Sequence, residues 1–584
     1  MKALRWLAAC AALVVALLSG AEAQTPVTIT IRGDQQFQLI HGWEAVAQGA
    51  LLELAPFANH QAVTDELLDK AVDLGLTRLR LGVSSSIENT RDFAAEYRAG
   101  RITRAEEQCG RYSTVNDNAD PNVLNPGGFI WTDFDREVTG TVLPLARRLE
   151  AKGERLWLNV QYTAFTSLIC PGYQYHHDNP AEYAEFALAV YKRLRDVHGI
   201  TPDTWELMLE PDNTSVWTGT RLADAAAATA ARLQQAGFTP SFVGPATTNA
   251  SSALPFFEPL WQRVGLRPFV REMSYHRYSG DTPATIRAIG DASRSRGHAT
   301  SMLELIGANV NTLHEDLTLG NVSAWQQFAL SFTGPEDGSK YFALDPSKPA
   351  GQRATLSATG MYLRQYFRAL RPGARRIGAS SSDSAFAAVA ADNPGNRMGV
   401  VVKADRGGSL TFAGLTPGVY TTSCWGGAVS QQCVGSVTAG ANGIAVANMP
   451  EAGVFSLIRA GGAPGPAGPS LSVQTNTTTL ASGGTLSATL AMAPGTITTP
   501  VDAYVVLQVP TGDYYSLQLG GGFLPGIVPI ARSFVPFSYA GPIFQYTFQS
   551  FDSPGRYTFL SVLTTAGTAQ LMTPIATTTV MFNP

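Results

Sequence analysis

Short apolar runs alternate with amphipathic helical segments between about residue 35 and residue 330 of this 584-residue chain. In one such unit, Asn179 is a predicted N-cap, Pro180 suits the first helical position, and Glu182 has the spacing of a capping box. Apolar residues then recur at helical intervals, and an apolar run that ends in Glu210 follows. This alternation predicts parallel strands joined by crossover helices.

The number of candidate strands further limits the set of possible folds. Eight short apolar runs fit strands, at residues 39–43, 76–81, 156–160, 205–210, 242–245, 273–276, 302–304 and 322–328. Eight parallel strands that alternate with helices predict an α/β fold, a closed (β/α)8 TIM barrel whose strand carboxyl ends form the functional rim. The segment 87–132 is rich in Asn, Asp, Gly and Pro, and we predict that it is a loop over this rim that shapes a cleft.

Two glutamates stand at the ends of predicted strands. Glu210 closes the fourth strand and Glu304 closes the seventh, so both are expected on the rim of the barrel. A pair of carboxyl groups that face each other is what a glycosidase needs, one as proton donor and one as nucleophile. A single glutamate at a strand end is usually solvated or salt-bridged, but the strand order and the neighbouring residues favour catalysis for these two.

Composition and charge limit the class of protein. Hydrophobic residues make up 45% of the chain and charged residues 15%, as in globular proteins with an ample core. The formal net charge of -4 gives no general attraction to nucleic acid. Residues 1–23 have the pattern of a signal peptide, so we expect a secreted or periplasmic protein. No other run approaches the roughly 20 apolar residues of a membrane span.

Four cysteines remain after the predicted signal peptide: Cys109, Cys170, Cys424 and Cys433. An even number in an oxidising compartment makes two disulfides plausible, although three connectivities are open. Cys424 and Cys433 are close enough in sequence to close a small hairpin-like loop. A bond between Cys109 and Cys170 would tie together two long loops on the rim.

The composition and pattern of the sequence change near residue 355, where short runs rich in Val, Thr, Ala and Gly begin. We predict the barrel over residues 24–354, and the last barrel helix with a side β-sandwich over 355–460. The segment 461–470 has the Gly- and Pro-rich composition of a linker. Residues 471–584 have about the length of one immunoglobulin-like β-sandwich.

Five motifs occur in an order that resembles clan A glycoside hydrolases, most closely the family 30 type. They are the run Ile40–Ala45, the strand Leu79–Leu81, Glu-Pro-Asp-Asn at 210–213, Tyr-His-Arg-Tyr at 275–278, and Glu304. The run Tyr366–Ile377 resembles the passage from the last barrel helix into the side sandwich of such proteins. The resemblance implies that the first strand, Val27–Arg32, joins that sandwich, and it covers roughly residues 27–460.

The resemblance also implies roles for individual residues. Glu210 would be the general acid/base and Glu304 the nucleophile of a retaining enzyme, with the acid's pKa raised by an apolar or like-charged setting. Tyr278 or Tyr275 would donate a hydrogen bond to the nucleophile, and no metal or cofactor is needed. The residues expected to contact substrate or support the pair are Arg80, Trp43, Asn159, Asn213, His276, Tyr278 and Trp325.

One position departs from the family pattern. Leu209 stands where such enzymes have the asparagine that binds the sugar's 2-hydroxyl, and Asn213 or Asn159 is a candidate replacement. For Arg80 a structural ion pair is about as plausible as a catalytic role, and plain barrel packing is the alternative for the two tryptophans. His176, His177 and Asp178 lack ligand spacing and are interpreted as solvated loop residues.

Together these features predict an exported, monomeric, retaining glycoside hydrolase that acts on a β-linked polysaccharide or oligosaccharide. Two alternatives remain open. One is a surface protein that binds carbohydrate without catalysis, and the other is a transglycosylase that uses the same two glutamates. The sugar, the linkage and the choice between internal and terminal cleavage are not determined by the sequence.

Overall fold

The computed structural model describes residues 27–332, 338–426, 432–460, 469–477, 479–494, 497, 499–519, 521–537, 539–568, 570–573 and 575–584. The predicted signal peptide at 1–23 lies outside the described residues, as does most of the predicted linker, residues 461–468. No helix among the described residues is both long and apolar enough to cross a membrane.

Helices and barrel strands alternate through the first part of the chain. The strands are β1 Val27–Leu39, β2 Gly42–Gly49, β3 Arg78–Ser84, β4 Trp157–Thr163, β5 Thr204–Glu206, β6 Phe242–Asn249, β7 Val270–Ser279, β8 Ala299–Glu304, β9 Val322–Trp325, β10 Ala329–Ser331, β11 Lys340–Leu344 and β12 Ala354–Leu356. The α-helices are α1 Leu51–Leu54, α2 His60–Leu74, α3 Phe93–Arg98, α4 Arg104–Gly110, α5 Thr132–Glu137, α6 Leu143–Glu150, α7 Pro180–His198, α8 Gly219–Gln235, α9 Ala253–Gln262, α10 Pro283–Arg296, α11 Val310–Thr318 and α12 Ala358–Ala369.

Strands β2 to β9 form a closed parallel barrel, which confirms the predicted fold class. Each strand pairs with the next in parallel register, and β9 pairs back to β2, with Trp325 opposite Trp43. Several strands begin and end later than predicted; the first barrel strand spans Gly42–Gly49 rather than 39–43. The reason is that residues up to Leu39 belong to β1, which pairs outside the barrel.

Helix α7 shows how local signals fix an element. The Asn179 side chain accepts a hydrogen bond from the Ala181 backbone N–H at 3.0 Å, Pro180 opens the helix, and Gly199 ends it with φ 70°. Glu182 departs from the expected capping box, because Asn179 caps Ala181 and the Glu182 side chain turns into the protein, where only 7% of the residue is exposed.

The segment 87–132 is more ordered than an irregular loop. It contains α3 and α4, because Asp92 caps the first and Thr103 forms a full capping box with Glu106 at the second. Cys109 and Cys170 form a disulfide that joins this segment to the connection after β4. This bond is one of the pairings that the sequence left open. Cys424 lies opposite Cys433 in the strand register, but the Cys433 side chain lies outside the described residues.

A nine-stranded sheet forms the side domain next to the barrel. Its later strands are β13 Arg375–Ser381, β14 Phe386–Asn393, β15 Arg397–Ala404, β16 Gly408–Ala413, β17 Gly418–Gly426, β18 Gln432–Ala439, β19 Ala445–Met449 and β20 Gly453–Arg459. Strand β1 lies inside this sheet, antiparallel to β13 and parallel to β16. Ile29 and Ile31 of β1 therefore pack into the core of the side domain.

The C-terminal part contains two sheets, of three and seven strands, around one apolar core. Its strands are β21 Ser470–Thr475, β22 Thr479–Leu480, β23 Thr485–Ala493, β24 Val501–Gln508, β25 Tyr514–Leu517, β26 Phe523–Pro525, β27 Ala531–Phe534, β28 Tyr539–Thr547, β29 Gly555–Thr565 and β30 Ala576–Phe582. The core includes Leu486, Val505, Phe559 and Val580. This arrangement is a β-sandwich, as predicted.

Candidate active site

Glu210 and Glu304 meet at the carboxyl end of the barrel. Glu304 is the last residue of β8, and Glu210 follows β5 by four residues. Each is 7% exposed. One carboxylate oxygen of each glutamate and one ring nitrogen of His276 lie within 4.8 Å of one another. The fold therefore brings together the two carboxyl groups that the sequence pattern paired.

Both oxygens of Glu304 accept hydrogen bonds. Arg80 Nη1 donates to Oε2 at 2.9 Å, and the Tyr278 hydroxyl donates to Oε1 at 3.0 Å. Burial and the nearby charge of Glu304 raise the pKa of Tyr278 well above its usual value, so the phenol stays a donor. Tyr275, the other candidate, instead donates to Asp316 at 2.8 Å. Two donors from different strands thus fix the orientation of the Glu304 carboxylate.

A second carboxylate, Glu206, anchors Arg80 from the other side. Arg80 Nε donates to Glu206 Oε2 at 2.9 Å, and its Nη2 donates to Oε1. Asn159 Nδ2 also donates to Glu206 Oε2 at 2.9 Å. Arg80, Asn159 and Glu206 are fully buried. Asn159 therefore supports the Arg80 anchor, and the structural ion pair that was one interpretation of Arg80 is formed with Glu206.

Glu210 is held by a different set of groups. His276 Nδ1 lies 3.1 Å from Glu210 Oε1, and Asn213 Nδ2 donates to Oε2 at 3.4 Å. Arg80 Nη2 lies 3.4 Å from His276 Nε2. Because a guanidinium can only donate, Nε2 is the acceptor and Nδ1 carries the proton that is donated to Glu210.

The backbone at Glu210 is also unusual. Its φ of 50° and ψ of 57° fall in the left-handed region, which costs about 1–3 kcal/mol for a residue with a side chain. The Glu210 N–H donates to the Ala246 carbonyl at 3.0 Å, and its own carbonyl accepts from the Asn213 N–H at 2.9 Å. These two bonds hold the strained turn that aims the carboxyl group at His276.

The electrostatic setting of Glu210 differs from the expected one. Burial raises the pKa of Glu210, but the hydrogen bonds from His276 and Asn213 and the charge of Arg80 outweigh it, so the net shift is downward. The expectation of a raised pKa was wrong for this state of the protein. A pattern of residues does not show that two donors and a nearby guanidinium converge on one carboxylate.

Glu210, His276 and Glu304 lie close enough together to meet a distance criterion for a metal site. Among the described residues this is the one group of side chains that does so. The hydrogen bonds that these side chains already make argue against metal ligation. Glu304 already accepts from Arg80 and Tyr278, and the His276 nitrogen nearest Glu210 carries a proton. This is a hydrogen-bonded carboxylate pair rather than a set of free lone pairs.

The two tryptophans lie elsewhere. The Trp43 indole N–H donates to the Leu370 carbonyl at 2.7 Å, and its ring stacks on Phe367 with centroids 4.7 Å apart. The Trp325 indole N–H donates to Asp316 at 2.9 Å. Both rings have 0% exposure, so neither offers a face to a sugar. Barrel packing is the interpretation that these contacts support.

No protein-family profile and no curated protein matches the sequence. The structure is similar to the catalytic domain of the family 30 xylanase C from Talaromyces cellulolyticus, with a TM-score of 0.54 and 16% identity over 74% of this chain and 99% of that one. The chain has the fold of the family 30 glycoside hydrolases.

Two further structures support this assignment of the fold. SrfJ from Salmonella typhimurium has a TM-score of 0.53 and 13% identity, over 75% of this chain and 93% of that one. The family 30 subfamily 8 xylanase Xyn30A from Clostridium acetobutylicum has a TM-score of 0.52 and 16% identity, over 74% and 99%. In this fold Glu210 follows the fourth barrel strand and Glu304 ends the seventh.

Sequence reasoning missed Glu206. It ends β5, within an apolar run between Trp205 and Leu207, both of which are fully buried. A charged residue within a buried strand requires a partner, and Arg80 in the second barrel strand is a buried charge of opposite sign. That pair of observations is the signal that could have found it.

Proposed function

We propose that this protein is an exported, retaining glycoside hydrolase that cleaves β-glycosidic bonds in a polysaccharide or oligosaccharide. The observation that carries the proposal is the pair Glu210 and Glu304, whose nearest oxygens lie within 4.8 Å of each other on the barrel rim. Retaining enzymes place their carboxyl groups about 5–5.5 Å apart, whereas inverting enzymes need about 6.5–9.5 Å to admit a water. The short separation supports retention.

In the first step, a Glu304 oxygen attacks the anomeric carbon while the bond from that carbon to the leaving oxygen breaks. Glu210 gives its proton to the leaving oxygen, so that a covalent glycosyl ester and a free hydroxyl result. In the second step, Glu210 removes a proton from water, the water oxygen attacks the anomeric carbon, and the Glu304 carboxylate leaves. Both substitutions invert the carbon, so the net result is retention.

The unequal surroundings of the two carboxyl groups support this assignment of roles. Arg80 and Tyr278 donate to Glu304, and such donors suit a group that must stay anionic to attack carbon. When Glu304 becomes an ester it loses its charge. Arg80 already lowers the pKa of Glu210, and its positive charge is then no longer balanced by the Glu304 carboxylate. This favours the ionised form of Glu210, the base needed in the second step.

The full chain can be tested on a panel of β-linked polysaccharides and aryl β-glycosides. We expect one substrate to be turned over by the wild type and turnover to fall to background in Glu304→Ala. In Glu210→Ala, turnover of glycosides with poor leaving groups should fall about 10²- to 10⁴-fold, the usual contribution of a general acid. Glu258→Ala is the matched control, because Glu258 is a surface glutamate that pairs with Arg296.

Added azide separates the two roles. With Glu304→Ala, azide should replace the nucleophile and give the α-glycosyl azide, whereas with Glu210→Ala it should intercept the intermediate and give the β-glycosyl azide. Wild-type turnover in Glu304→Ala would refute the proposal. Polysaccharide binding without turnover of any substrate would instead favour a carbohydrate-binding surface protein.

A further inference from the structure

Away from the candidate active site, two buried glutamates each have one side-chain oxygen without a hydrogen-bond partner. Glu182 and Glu185 lie in the first two turns of α7 and are 7% and 2% exposed. Glu182 Oε2 and Glu185 Oε1 are both inaccessible to water and accept no hydrogen bond from any described residue. Since they are three residues apart on one helix, the two side chains lie on the same face.

The surroundings of this pair add negative charge. Glu88 and Asp117 lie close enough to raise the pKa of both Glu182 and Glu185. Glu88 accepts from the Asp117 backbone N–H at 2.9 Å and from His177, so these groups form one connected region. The charges of four carboxyl groups, two on α7 and two in the segment 87–132, therefore act on one another.

Few positive groups balance these carboxyls. Arg232 is the one cation that affects Glu185, but it donates through Nη1 to the Asn122 side chain at 3.2 Å, and its Nε has no partner among the described residues. The Asn116 side chain hydrogen-bonds Glu182, which leaves the other oxygen of that carboxylate unsatisfied. A buried carboxylate oxygen without a partner is costly, and a proton, a water or a cation must satisfy it.

We propose that Glu182 and Glu185, with oxygens of the segment 116–118, bind a calcium ion. The ligands in this set are carboxylate, amide and backbone oxygens, which suit calcium rather than zinc or copper. The two glutamates supply carboxylate ligands, and amide, backbone and water oxygens complete the shell of the ion. The ion links α7 to the rim segment that the Cys109–Cys170 disulfide also holds.

The alternative partner is a proton. Burial, and then the charges of Asp117 and Glu182, raise the pKa of Glu185 to about 8, so without an ion it is neutral at pH 7. A carboxyl whose pKa is raised by folding stabilises the folded state below its ordinary pKa of about 4.5, and this contribution is lost as pH rises through about 8. Calcium displaces the proton, so its effect should be larger at pH 8 than at pH 6.

The test is thermal unfolding and titration calorimetry of the full chain after treatment with a chelator, with calcium chloride or magnesium chloride added back. We expect calcium to raise the Tm of the wild type more than magnesium does, with a dissociation constant on the order of 10⁻⁴–10⁻³ M, as in extracellular modules. Glu182→Gln and Glu185→Gln should each lose the response, while Glu258→Gln should keep it. Two variants are used so that a folding defect in one leaves the other informative.

The result that would overturn the proposal is equally clear. If calcium leaves the Tm of the wild type unchanged at both pH values and releases no heat, a proton or water satisfies these carboxylates. In that case Glu185→Gln should remove the loss of stability between pH 6 and 8. If calcium raises the Tm of both glutamine variants as much as that of the wild type, the ion binds elsewhere and the proposal also fails.

Discussion

The hydroxyl of Tyr278 gives the sharpest test of how Glu304 is oriented. Tyr278→Phe removes the bond to Glu304 Oε1 at 3.0 Å and keeps the ring. Tyr278 is 39% exposed, so the change leaves no internal cavity and should alter the Tm little. Tyr275→Phe is the matched control, because the fully buried Tyr275 donates its hydroxyl to Asp316 at 2.8 Å rather than to Glu304.

The size of the effect follows from the kind of bond that is lost. A hydrogen bond to a charged group contributes about 1.5–3 kcal/mol. A factor of ten in rate corresponds to about 1.36 kcal/mol, so the loss in kcat should lie between roughly 10-fold and 150-fold. We expect a value in the lower part of this range, because Tyr278 is partly exposed and water can replace its hydroxyl.

The assay measures kcat, KM and Tm for both variants on the best aryl glycoside. Tyr278→Phe should lower kcat with little change in KM or Tm. Tyr275→Phe should lower the Tm, because Asp316 stays buried with one donor fewer, and should change kcat less than about twofold. Equal losses of kcat in the two variants, or wild-type kcat in Tyr278→Phe, would contradict the argument that this hydroxyl orients the Glu304 carboxylate.

Three further changes test other contacts. The proposed acid Glu210 must be protonated, so kcat/KM should fall as pH rises through the pKa of Glu210, which its partners lower. His276→Ala removes one of these partners and should therefore move the fall in kcat/KM to higher pH in a pH–rate profile. Glu206→Gln should lower both Tm and kcat, the latter about tenfold or more, since Arg80 loses a charged partner. Trp325→Phe should lower the Tm and leave KM unchanged, because its indole bonds Asp316 rather than substrate.

The sequence predicts best those features that depend on neighbouring residues. Helix α7 follows from Asn179, Pro180 and the apolar spacing behind them, since capping and amphipathic periodicity act within a few residues. The same holds for the barrel, whose alternation of strands and helices is visible along the chain. Glu210 and Glu304 could be paired because the order of strands in a barrel fixes which strand ends share a rim.

Features that depend on distant residues were harder to predict. Glu206 and Arg80 are 126 residues apart, and only the closed barrel brings their side chains into contact. The downward shift in the pKa of Glu210 depends on His276, which is 66 residues away. The two tryptophans illustrate the same limit, because alternation along a strand does not state which face of that strand turns inward.

A layer of charge beneath the active site explains how Arg80 is kept in place. Arg78 lies two residues before Arg80 on β3, so both side chains point to the same face of the strand. Arg78 donates to Glu44 at 2.7 Å and, through two nitrogens at 2.7 and 3.1 Å, to Glu272. Asn159 Nδ2 joins the layers, because it lies 2.9 Å from Glu206 and 3.5 Å from Glu44.

Buried ion pairs of this kind are weak sources of stability, because desolvation offsets most of the attraction. Apolar side chains, which dominate the interiors of such barrels, would fill the same space without that cost. What the charges add is orientation, since Arg80 can satisfy Glu206 and Glu304 together in only one arrangement. Two stacked layers of charge are therefore best explained as a scaffold that holds the guanidinium, and through it Glu304, in one fixed position.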